Sequence, residues 1–138
     1  NSGDIDSNYG DYDFWVFDVD GNAIVKQKSF GGTTADQASL ILAYEDGFII
    51  AGTTESDDGD VSQNNGKTDI WVIKTDDNFN LIKQMNFGGS QDELIMDLKY
   101  DGNTLILFGT TTSNDFGIGP YHGKEGSNTD IWIVKYPF

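Results

Sequence analysis

Asp69-Ile70-Trp71-Val72-Ile73-Lys74 decides how this chain folds, because the phrase stands twice more, as Asp13-Phe14-Trp15-Val16-Phe17-Asp18 and as Asp130-Ile131-Trp132-Ile133-Val134-Lys135. The copies begin 56 and 61 residues apart. After each of the first two, the same events follow in the same order. A polar turn (Asp20-Gly21-Asn22; Asp76-Asp77-Asn78) leads to Phe-Gly-Gly (Phe30-Gly31-Gly32; Phe87-Gly88-Gly89) and a lone Asp (Asp36; Asp92). An Asp-Gly turn (Asp46-Gly47; Asp101-Gly102) and an apolar run closed by Gly-Thr (Gly52-Thr53; Gly109-Thr110) complete the period. Self-similarity at this spacing is the mark of a repeat architecture.

Each period reads as four short strands. The Asp-x-Trp strand is apolar on both faces and is expected to be covered on both, while its neighbours are mixed. Gly, Asp and Asn at the turns supply the positive φ angles of tight hairpins, and no segment carries helix start and stop signals. Four strands in 40 to 60 residues describe a β-propeller blade, so the expected fold is all-β, with blades of four antiparallel strands. Trp15, Trp71 and Trp132 then pack between neighbouring blades.

With the Gly-Thr strand called A, the Trp strand B and the next two C and D, the chain holds B-C-D, A-B-C-D, A-B. It is read as one propeller segment, 1–138, with repeats 13–68 and 69–129, a partial repeat 130–138, and 1–12 as the crossing loop of a preceding repeat. That is about two blades plus a remainder. A closed propeller needs at least about four blades. The chain is therefore expected to be either a piece of a longer propeller or a subunit that builds a ring with further copies.

The order Asp-x-Trp-Val-x-Lys, Phe-Gly-Gly, Asp-Gly, Ile-x-Ala-Gly-Thr, Gly-Asp-Val-Ser resembles the repeats of a family of secreted or surface propeller (lipo)proteins of Bacteroidota-type bacteria. The resemblance covers essentially the whole chain. It implies an extracellular or cell-surface scaffold or binding module that is not an enzyme, with a protein or glycan as its partner. Two departures stand out: Asp18 where the other copies carry Lys74 and Lys135, and a longer third crossing loop from Asn114 to Gly126.

Composition narrows the partners independently. The 138 residues carry 23 Asp+Glu against 8 Lys+Arg, a formal charge of -15, and no basic face for nucleic-acid phosphates. No Cys is present, which excludes thiolate metal sites and disulfides. The apolar runs are far shorter than the ~20 residues of a membrane helix.

The candidate chemistry lies in the A-to-B crossing loops. Asp4, Asp6 and Asn8 before Asp13, and Asp60, Ser62 and Asn64 before Asp69, set oxygen side chains at alternate positions. Such a set suits calcium, which takes six to eight oxygens, although Trp15 and Trp71 stand where an EF-hand has its bidentate Glu. The competing reading is that these side chains bond their own backbone amides to hold a turn. Tyr9, Tyr12, Phe116 and Tyr121 are the candidate ligand-binding aromatics, since loops on a rigid scaffold usually meet ligands. A carbohydrate-binding, lectin-like propeller is the alternative function, and a fragment of a glycan-processing enzyme the second. Neither a nucleophile elbow nor a metalloprotease helix is present, and His122 reads as a surface loop residue.

Overall fold

The structure, a computed structural model, describes residues 7–44, 46–116, 122 and 128–138. Asp4, Asp6 and Tyr121 lie outside the described residues. Among those described there are nine strands and no helix, and so no helix long and apolar enough to cross a membrane. The strands are β1 (Phe14–Asp20), β2 (Ala23–Phe30), β3 (Asp36–Tyr44), β4 (Gly47–Thr54), β5 (Asp69–Asp76), β6 (Leu81–Phe87), β7 (Glu93–Tyr100), β8 (Thr104–Thr111) and β9 (Asp130–Pro137).

All ladders between these strands are antiparallel, and they form three sheets in the orders β1-β2, β3-β4-β5-β6 and β7-β8-β9. No sheet closes on itself. The nine strands match the reading B-C-D, A-B-C-D, A-B, but hydrogen bonding groups them differently. The complete sheet is D-A-B-C, from Asp36 to Phe87, and its breaks fall at the turns after Phe30 and Phe87.

The central sheet is covered on both faces. On one side Phe48, Ile50, Trp71 and Ile73 meet Phe14, Val16 and Phe30 of the first sheet. On the other, Ile49, Ala51, Ile70, Val72 and Met85 meet Leu98, Leu105, Leu107, Trp132 and Val134 of the third. Period-2 alternation sends Trp71 and Ile73 one way and Ile70 and Val72 the other, so five consecutive residues, Asp69–Ile73, are buried. In β9 the strict alternation of half-buried and exposed residues marks a strand covered on one face only.

Corresponding residues keep the same direction in every sheet. Trp132 and Val134 face the central sheet as Trp71 and Ile73 face the first, leaving Ile131 (72% exposed) and Ile133 (61%) outward where Ile70 and Val72 are buried. Trp71 is fully buried, tilted against Phe14 at 4.7 Å between ring centroids, and its indole N–H donates to Gln84 at 3.1 Å.

Bulges in β3 (Ala38/Leu40) and β7 (Ile95/Asp97) set the place of two glycines. Each bulge drives a carbonyl toward the partner strand, where a methyl on Gly52 or Gly109 would overlap the oxygen of Gln37 or Leu94.

Two substitutions separate burial from repeat position. Trp71→Ala should lower the unfolding free energy by about 3–5 kcal/mol in urea titrations, as large-to-small changes do in a packed core. Ile133→Lys, at the position matching buried Val72, should cost less than about 1 kcal/mol because that face is open.

Candidate functional site

The polar centre of the molecule lies at one end of the sheets, where the turn from strand C to strand D meets the crossing loop from A to B. After Phe30, Gly32 N–H donates to Asp36 Oδ2 at 2.8 Å, and Asp36 also accepts from the hydroxyls of Thr54 and Ser56. Asp13 accepts the N–H of Tyr9 at 2.6 Å. Asp60 Oδ2 accepts the N–H of Gly31 at 3.3 Å. Asp13, Asp36 and Asp60 thus converge on one glycine. A methyl on Gly31 would overlap Asp13 Oδ1 and come within 2.8 Å of Asp36 Oδ2.

The arrangement recurs 57 residues on, with a change of side chain. Gly89 N–H donates to Glu93 at 2.6 Å, Thr111 Oγ1 donates to Glu93 at 2.5 Å, and Asp69 accepts the N–H of Asn65 at 2.9 Å. A methyl on Gly88 would overlap Asp69 Oδ1 and come within 2.7 Å of Glu93 Oε2. Glu93, and not Asp92, is therefore the counterpart of Asp36. Its backbone agrees: Asp36 N–H donates to Tyr12 O and Glu93 N–H to Thr68 O, both at 2.8 Å. The glycines of Phe-Gly-Gly give the carboxylates room.

Burial sets the titration of these acids. Asp69 is fully buried, and its Oδ1 has no hydrogen-bond partner. Desolvation, opposed by the Asn65 N–H and aided by the nearby charge of Glu93, pushes its pKa up to about 6. Asp13 is raised by burial in the same way; the Tyr9 N–H opposes this, and Asp36 and Asp60 reinforce it.

The oxygens expected to bind calcium are distributed differently. Asn64 Oδ1 accepts the N–H of Gly66 at 2.8 Å while its amide donates to Thr54 O, so this side chain holds its own turn. Ser62 and Asn8 are exposed, and Ser62 is tied by its backbone N–H to Gln84. Asp60 joins Asp13 across two sheets, and Asp69 joins Glu93 instead of Asp60. Among the described residues, no three His, Cys, Asp or Glu side chains form a metal-holding group.

Of the candidate aromatics, Tyr9 and Tyr12 are exposed in the loop before β1. Phe116 has positive φ (51°) and lines a cavity of about 230 Å³ with Trp132, Gln63, Asn65 and Asn86. Neither amide atom of Asn86 has a hydrogen-bond partner. His122 donates its backbone N–H to Asp130 at 2.8 Å, repeating for the third Asp-x-Trp phrase the capture made by Asp13 and Asp69. No protein-family model, curated protein or solved structure matches the chain.

The raised Asp69 pKa carries a definite sign. Its value is 3.8 in an ordinary environment and about 6 here, so in that interval the folded chain holds a proton that the unfolded chain has released. Its contribution to stability is full below about pH 3.8 and is lost as pH rises through about 6. Asp69→Asn should flatten the stability profile between these limits, by at most about 1.4 kcal/mol per pH unit, in denaturant titrations of both proteins. Gly88→Ala should cost about 1–3 kcal/mol, because the added methyl displaces two buried carboxylates.

Proposed function

We propose that this chain is a segment of a β-propeller serving as a non-enzymatic scaffold or binding module at the cell surface or outside the cell. One observation carries the reading: corresponding residues make both sheet-to-sheet contacts, and the two sets of positions that meet in those contacts lie one on each outer face. Trp15 and Phe17 of the first sheet occupy the places of Trp71 and Ile73, while Ile131 and Ile133 of the third occupy those of Ile70 and Val72. Further sheets added in the same sense would bury both faces, and a ring of such sheets is a propeller. The resemblance of the Asp-x-Trp and Phe-Gly-Gly phrases to surface propeller repeats supports the location.

The buried carboxylates support a structural over a catalytic role. Asp36 and Glu93 are committed to backbone N–H groups and to Thr hydroxyls. Calcium enters this reading as a stabiliser of the crossing loops, supported by the unpartnered oxygens of Asp13 and Asp69. Chelation should then lower the melting temperature, and an unchanged melt with EDTA would remove calcium from the account.

A carbohydrate-binding role is the second reading, favoured by the cavity at Phe116. Aromatic faces stack on sugar rings, and the free amide of Asn86 offers both a donor and an acceptor to hydroxyl groups. Glycan-array binding that is lost in Phe116→Ala would support it, whereas turnover of aryl glycosides would favour an enzyme instead.

Electron-microscopy class averages of the natural gene product test the main proposal. A disc of radially arranged sheets around a channel is the expected image. An unclosed particle with no radial symmetry would overturn it.

A further inference from the structure

The first sheet has two strands where its neighbours have more. In the other two, a hairpin flanks the Trp-bearing strand on one side: β3–β4 lies along β5, and β7–β8 along β9. The registers agree, with Gly52 opposite Trp71 and Thr54 opposite Asp69, and with Gly109 opposite Trp132 and Thr111 opposite Asp130. Among the described residues, β1 pairs with β2 alone, so the corresponding edge of β1 carries unpaired backbone groups. Beside this edge opens a cleft of about 360 Å³, walled by Trp15, Val16 and Phe17 of β1 and by Ile41, Phe48 and Ile50 of the central sheet.

A pair of matching residues differs in what covers it. Ile41 sits opposite Ile50 in β4, and Leu98, 57 residues later, sits opposite Leu107 in β8. Leu98 is 4% exposed because it packs against the central sheet, whereas Ile41 is 57% exposed. The uncovered patch begins where a hairpin paired to β1 would lie across β3.

We propose that the free edge of β1 and the cleft beside it bind a β-hairpin of the β3–β4 type, carried by a separate polypeptide segment. Its second strand ends in Gly-Thr-Thr and pairs antiparallel with β1, placing the Gly opposite Trp15, while its first strand covers Ile41. This is strand addition: the main-chain hydrogen bonds supply affinity, and the alternate side chains fix the register. The proposal rests on reading the three sheets as copies of one unit.

A synthetic hairpin with the sequence of residues 36–54 is the probe, added to the 138-residue chain and followed by hydrogen exchange with mass spectrometry. Saturable slowing of amide exchange across β1 is expected, with no slowing from a scrambled peptide of the same composition. Ile41→Asp in the protein should weaken binding by at least about tenfold, a difference of about 1.4 kcal/mol, with an unchanged melting temperature because Ile41 is exposed. Protection appearing at β9 instead of β1, equal binding of the scrambled peptide, or no binding would each overturn the proposal. A disc-shaped particle whose β1 ignores the hairpin would sink strand addition alone. Hairpin binding by a protein that forms no disc would sink the propeller reading alone.

Discussion

Everything in this molecule depends on β5 being buried on both faces. A strand sends alternate side chains to opposite sides, so Ile70–Ile73 can be apolar at successive positions only if a sheet lies above and another below. That requirement fixes three layers. It also explains why two clusters, one around Trp71 and one around Val72, share the same strand without sharing residues. The outer strands repeat the apolar pattern of β5 without its surroundings, and their burial falls to strict alternation in β9.

The layers are tied at one end by carboxylates. Asp36 and Glu93 each gather the N–H of a Gly-Gly turn and a Thr hydroxyl, joining the start of strand D to the end of strand A. Their own N–H groups reach the carbonyls of Tyr12 and Thr68, immediately before strand B. Asp13 and Asp69 then capture the crossing loops. Burying these acids carries a desolvation cost, to which their mutual repulsion adds, and both are visible in the raised pKa values of Asp13 and Asp69. Glycine at 31 and 88 makes the approach sterically feasible.

The nine strands were legible in the sequence because their boundaries fall at Gly, Asp and Asn turns and their phrases recur. Their grouping into sheets was not. Alternation tells which side chains share a face, but it does not say at which turn the hydrogen bonding stops, and D-A-B-C differs from A-B-C-D only in that break. The polar site was legible in part. Phe-Gly-Gly marked the turn, yet the carboxylates that need its room come from distant positions such as Asp60. Asp92 resembled the counterpart of Asp36 only because a second acid precedes Glu93. Alternating oxygens at Asp60, Ser62 and Asn64 suggested coordination, but spacing cannot show that Asn64 is already spent on Gly66. No sequence signal distinguished Ile41 from Leu98, since their difference lies in what covers them.

The two outer faces are unlike. One exposes Phe17 and Val19 beside the half-buried Trp15, and the other exposes Leu94, Met96, Ile131 and Ile133. The two internal contacts join unlike faces in the same way, the Trp-bearing side of one sheet meeting the opposite side of the sheet before it, so the three layers are stacked with one polarity from first to third.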